Sequence, residues 1–151
     1  MVGNIRKTVT YFRRSTNAAN ALRKAISQLS LPSLKPIVDV STRWNSTLEM
    51  LERFSLLRPA ISVAQCNQSL RSNIDILSER ELDITEQLVK VLQIVKTATC
   101  TLSAENQPTA SLILPIKFTI LKQLDEEQEG IHPAVHQAKM CIKHDLEARY
   151  I

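Results

Sequence analysis

The sequence predicts an all-α protein, and three observations carry that expectation. Glycine is almost absent: Gly3 and Gly130 are the two in 151 residues, too few for the glycine-dependent turns that closely spaced strands need. Apolar residues recur at three- and four-residue spacing along most of the chain. Serines paired with a glutamate three residues on, and well-placed prolines, stand where helices would begin or break. Apolar residues make up 44% but aromatics only 4%, so the expected core is aliphatic. The length suits one domain. The reading is an irregular multi-helix bundle over 1–151, with a basic helical arm and connector (1–38) and a helical body (39–151).

In chain order, Ile5, Val9 and Phe12 mark a first short helix. Ser15 is placed to cap a second one carrying Leu22, Ile26 and Leu29. Pro32 and Pro36 break it, and Lys35 to Val40 reads as an extended connector, because a residue before proline is pushed from helical angles. A third helix falls between Thr42 and Leu57, with a stripe of Leu48, Leu51, Phe54 and Leu57. Ser46 and Glu49 have capping-box spacing, which would leave Arg43 and Trp44 on the turn leading in. Pro59 would end this helix or open a weaker one towards Leu70. The clearest helix runs from about Ile84 to Leu102, with Ser78 and Glu81 as a capping box upstream. After a turn-rich break at Ser103–Pro108, a helix from about Ser111 to Glu127 is apolar on more than one face and is expected to be central. Pro115 is a candidate kink there. A last helix begins near Pro133, a favoured first position, and runs to about Arg149.

Charge is uneven. Residues 1–38 carry Arg6, Lys7, Arg13, Arg14, Arg23, Lys24 and Lys35 and no Asp or Glu, whereas the whole chain is only +4. A positive arm on an acidic body suits a polyanion, with nucleic acid the usual partner. The three cysteines, Cys66, Cys100 and Cys141, are odd in number, widely spaced and not preceded by a recognisable signal peptide. They are expected to be small buried apolar residues in a reducing, intracellular setting. No apolar run approaches the ~18 residues that cross a bilayer, so no membrane partner is expected.

The most informative stretch is Asp39-Val-Ser-Thr-Arg-Trp-Asn-Ser-Thr-Leu-Glu-Met-Leu-Glu-Arg53. It resembles the Arg-Trp signature of hAT transposases and their domesticated relatives, including the BED-zinc-finger proteins. Supporting matches are Val9-Thr-Tyr-Phe-Arg-Arg-Ser15, Thr99-Cys-Thr-Leu-Ser-Ala-Glu105 and Pro108-Thr-Ala-Ser-Leu-Ile-Leu-Pro115. In that family an RNase H-like core cuts DNA with three acidic residues and divalent metal. A long helical insertion interrupts the core and carries the Arg-Trp signature. The resemblance implies that this chain is part of the insertion, a fragment of a larger nuclear transposase-like protein. It also implies that Trp44 stacks on a flipped base and Arg43 contacts a neighbouring phosphate. An indole face on an unstacked base is worth ~1–3 kcal/mol.

Departures from the pattern bear on catalysis. The BED zinc finger, the segments bearing the catalytic acids and the dimerisation region have no counterpart in this sequence, so an enzyme is not expected. Asp39, Asp75, Asp83 and the Asp125-Glu126-Glu127-Glu129 run read as connector, solvated faces or helix ends. His132, His136, Cys141 and His144 lie close in sequence, but at 100° per residue Cys141 is about 140° from His136, so they do not converge on a metal. No Gly-rich loop or nucleophile motif appears. No metal and no cofactor are expected.

The expected DNA-binding residues are therefore Arg43 and Trp44, with Arg6, Lys7, Arg13, Arg14, Arg23 and Lys24 of the arm on phosphates. The alternative is a helical interaction or scaffold module without a DNA role, in which Trp44 is core and Arg43 pairs with Glu49 or Asp39. Besides DNA, the remaining transposase core and a second copy of the chain are the expected partners. The apolar 112–124 helix is the face expected to drive self-association.

Overall fold

The structure, a computed structural model, describes residues 1–40, 42–66, 70, 77–103, 109–126 and 130–149. Six α-helices occur among them: α1 (Val2–Arg14), α2 (Thr16–Gln28), α3 (Trp44–Gln65), α4 (Glu79–Leu102), α5 (Ile113–Asp125) and α6 (Pro133–Arg149). A 3-10 turn, Thr109–Leu112, precedes α5, and no strand occurs among the described residues. The protein is all-α, as the glycine count and periodicity require. No described helix is long and apolar enough to cross a membrane. The chain divides into two compact units, Met1–Thr85 and Glu86–Ile151.

In the first unit α1, α2 and α3 pack pairwise against one another. Helix α1 buries Ile5, Thr8, Val9 and Phe12. The single residue between α1 and α2, Ser15, has extended backbone, and its hydroxyl accepts from the Ala18 amide at 3.3 Å. That bond satisfies one of the orphan donors at the start of α2. Helix α2 then buries Ala18, Leu22, Ala25 and Ile26. Leu29, expected on the same stripe, is its C-cap and is exposed. Beyond it the Leu31 amide reaches the Ile26 carbonyl at 3.0 Å and the Ser30 amide reaches that of Ser27 at 3.1 Å. This is the Schellman pattern, and Ser30 takes the left-handed position with φ 51°, where glycine is usual. The chain leaves it as the 31–40 connector, which has no regular secondary structure and a tight bond from the Leu34 amide to the Pro32 carbonyl at 2.7 Å.

Helix α3 differs from expectation at both ends. Pro59 neither ends it nor opens a new helix; it lies inside one continuous helix. An interior proline costs ~3 kcal/mol, yet Leu57, Ala60, Ile61 and Ala64 on either side are buried. Each large buried side chain returns ~1.5–3 kcal/mol, so packing outweighs the lost backbone bond. Pro59 itself is exposed, on the side that also shows Leu56 and Val63. At the N-terminus no side-chain capping bond forms, so the Ser46–Glu49 box is absent and Ser46 turns back to the connector. The segments 67–69 and 71–76, including Asp75, lie outside the described residues, although Leu70 is buried.

The Ser78–Glu81 box does form. The Glu81 carboxylate accepts from the Ser78 amide at 3.0 Å and the Glu81 amide donates to the Ser78 hydroxyl at 3.2 Å. These bonds hold the Glu81 carboxyl below its usual value, the Ser78 amide contributing most. Helix α4 starts there, five residues before the apolar stripe begins at Ile84. Thr85 is buried within it and donates to the Glu81 carbonyl at 2.7 Å.

In the second unit α5 packs against the 3-10 turn and α6. Pro115 falls in the first turn of α5, where its missing N–H is no loss, so it marks a beginning rather than a kink. The helix is not central: Ile120 and Leu124 are its buried residues, whereas Leu114 and Phe118 are 68% and 72% exposed. Helix α6 starts at Pro133 as expected. The His132 ring accepts from the Ala134 amide, and the His132 amide donates to the Gln87 side chain at 2.9 Å. Lys139, itself buried, donates to the Glu126 carbonyl at the end of α5, where a cation suits the helix dipole. Lys143 pairs with Asp125 at 2.6 Å, a bond that raises the lysine pKa. All three cysteines are exposed and unpaired, so they are not the buried apolar residues expected. Residues 104–108 and 127–129, with the acids Glu127 and Glu129, lie outside the described residues.

Candidate nucleic-acid interface

Arg43 and Trp44 stand where the connector becomes α3. Arg43 is the N-cap and Trp44 the first helical residue. Backbone bonds fix the turn: the Arg43 amide donates to the Val40 carbonyl at 2.8 Å, and the Ser46 amide donates to the Arg43 carbonyl at 3.1 Å. The Ser46 hydroxyl accepts from the Val40 amide at 2.8 Å. Its own proton has two carbonyls in reach, Arg43 at 2.7 Å and Val40 at 3.0 Å. The turn is thus closed from both sides while both site side chains point out. Trp44 is 39% exposed, and Arg43, Thr42 and Asn45 are exposed beside it. Trp44 is therefore not fully enclosed, and the first turn of α3 carries no acid.

Beneath the turn lies a clamp that sequence reasoning did not foresee. Asp39, whose side chain is fully enclosed, takes a two-pronged bond from Arg6: Nε to Oδ1 and Nη2 to Oδ2, both 2.6 Å. Thr47 donates to Oδ2 at 2.9 Å. A buried carboxylate needs such partners, and the Arg6 bond above all holds Asp39 below the ordinary carboxyl value. The same bond raises the Arg6 pKa. Arg6 thereby ties α1 to the connector and, through the Asp39–Thr47 bond, to the first turn of α3. The one available signal was negative: Asp39 is the first acid after the run of cations in 1–38.

The other arm residues do not form one surface. Lys7 and Arg14 are exposed and flank a shallow cleft on α1 with Arg6, Thr10 and Tyr11. Since Arg6 also belongs to the clamp, this cleft and the Trp44 turn are joined through one network. Arg13 and Arg23 line a different groove with Lys35 and Arg53. Lys24 is exposed and lines neither. Arg53 was not singled out from the sequence, since it lies on α3, beyond the basic run of residues 1–38. No group of three or more His, Cys, Asp or Glu side chains able to hold a metal comes together among the described residues. Asp83 is exposed and Asp125 is engaged by Lys143.

Comparison with protein families shows that residues 1–96 match the ZBED1 RNase-like helical domain. The chain belongs to this family, a transposase-related class, and the Arg-Trp turn and its clamped connector lie within the matched residues. The match covers the whole of the first unit and extends into α4. No curated protein and no solved structure matches the chain.

Proposed function

We propose that the chain is a non-catalytic, DNA-associated module of a hAT-type transposase-derived protein acting in the nucleus. Trp44 stacks on an unpaired base, Arg43 contacts the adjoining phosphate, and Lys7 and Arg14 bind phosphates along the α1 cleft. Arg13, Arg23 and Lys24 add to the positive field that draws the polyanion in. Arg6 serves by holding the site together. The observation that carries this reading is the exposed Trp44 on a closed turn at the head of a 22-residue helix. Phosphate is favoured there by the helix dipole as well as by Arg43, and a partly exposed indole offers a face to any unstacked base.

Trp44 is the sole tryptophan, so its fluorescence reports on the site directly. Titration with hairpin DNA bearing an unpaired base is expected to quench it strongly at low salt and less at moderate salt. Fully paired duplex is expected to quench weakly. Lys7→Ala and Arg14→Ala should each weaken binding and lower the salt slope by roughly one. Emission that ignores both DNAs would overturn the reading.

A second reading has one observation in its favour. The exposed Leu114 and Phe118 on α5 fit a protein-interaction module, and that role concerns the second unit.

A further inference from the structure

The groove that takes Arg13 and Arg23 away from the α1 cleft has chemistry of its own. It is a space of about 520 Å³ bounded by α1, α2, the 33–37 connector and Arg53 of α3. Four cations surround it, Arg13, Arg23, Lys35 and Arg53, and no Asp or Glu is among its lining residues. Two of them are held in place: Arg53 donates to the Lys35 carbonyl at 3.1 Å, and Arg23 donates to the Asn20 side chain at 3.3 Å. Each spends one of its five N–H donors on that bond. The walls between the cations are aliphatic, with Pro36 and Ile37 half-buried.

We infer that this groove binds an acidic segment of another polypeptide that also carries aliphatic side chains. Carboxylates meet the guanidinium forks in the paired geometry that arginine favours, and a Leu or Ile side chain covers the Pro36–Ile37 wall. A nucleic-acid strand satisfies only half of this surface. Phosphates would answer the cations, but the aliphatic wall would stay wet. The one aromatic lining residue, Phe12, is 1% exposed and offers no ring face for a base. The inference does not rest on the DNA reading at Trp44: Arg43, Trp44, Lys7 and Arg14 lie outside this groove, and Arg13 and Arg23, which line it, enter that reading only through their long-range field.

Fluorescence anisotropy with a short labelled peptide of alternating Glu and Leu tests it, beside the same peptide with Gln for Glu and a single-stranded oligonucleotide. The Glu peptide is expected to bind at least tenfold more tightly than the Gln peptide. Arg23→Glu, on α2, and Lys35→Glu, outside any helix, should each weaken the Glu peptide about tenfold. Lys7→Glu should leave it nearly unchanged, with helical circular dichroism retained in all three. Equal binding of Glu and Gln peptides would overturn the inference, as would no binding of either. Loss of oligonucleotide rather than peptide binding in Arg23→Glu and Lys35→Glu would assign the groove to nucleic acid instead. Trp44 quenching by hairpin DNA in these variants distinguishes failure here from failure of the DNA reading.

Discussion

In the first unit Ile5, Leu48, Met50 and Leu51 are wholly enclosed, whereas in the second Leu114 and Phe118 stand mostly in solvent. The two units have similar apolar sequence patterns but dispose of them differently. Three helices that pack pairwise give each apolar stripe two neighbours, so α3 stays buried along its length even with a proline inside. In the second unit the buried apolar residues among those described are Val91, Ala98, Ile120, Leu124 and Val135. Helix α5 is the most apolar by sequence, yet it buries two of its residues. The family match ends at residue 96, so the enclosed unit is the one the family defines. The lesson is that hydrophobicity predicts burial only where enough neighbouring faces exist to receive it.

That contrast is open to direct attack. The largest expected effect is in the core: Leu51→Ala should cost about 3–4 kcal/mol, a transfer loss plus an uncollapsed cavity. Leu124→Ala should cost less, about 2 kcal/mol, because Leu124 keeps 6% of its surface in solvent where Leu51 keeps none. Urea unfolding followed by circular dichroism measures both. Equal costs would mean that the second core is as tight as the first.

Next in size is the clamp. Arg6→Met should destabilise by about 2 kcal/mol, less than the ~3–5 kcal/mol for breaking a fully buried pair, because Arg6 is 40% exposed and partly screened. Asp39 is held below the ordinary carboxyl value of about 3.9. Its contribution is therefore present above that pH and is lost as pH falls through the depressed folded value. Arg6 is raised from an already alkaline value, so its own share is lost only at extreme alkaline pH. Stability should decline on the acid side, and Asp39→Asn should flatten that decline. A wild-type acid limb identical to that of Asp39→Asn would remove the clamp from the account.

The smallest effect on stability is expected on α5. Phe118→Lys should change unfolding by no more than ~0.5 kcal/mol, the range of exposed positions, while reducing self-association in sedimentation. A loss of several kcal/mol would show that Phe118 is enclosed in solution, and the comparison of units would fail there.

Much of the fold was legible because its signals are local. Ser15 capping α2, the Ser78–Glu81 box and Pro133 opening α6 each depend on residues within one turn. Ser46 shows where this breaks down. Its spacing to Glu49 fits a capping box, but Val40 and Arg43 were nearer competitors once the connector folded against α3. The cysteines show the same limit: their side chains suit a core, but Cys100 and Cys141 lie on exposed positions of their helices and Cys66 caps the end of α3.

The candidate site divides along the same line. The Arg43–Trp44 pair and the uninterrupted cations of residues 1–38 are matters of composition and order, so the amino-acid string alone determined the all-α class and the basic arm. Which cations act together was decided only by tertiary structure. Helix α1 sends Arg6 to Asp39, Lys7 and Arg14 to one cleft, and Arg13 to a groove shared with α2, Lys35 and Arg53. A run of like charges reads as one patch in sequence. At 100° per residue a helix distributes it over different faces, and the nearest buried carboxylate takes the cation whose fork can reach it.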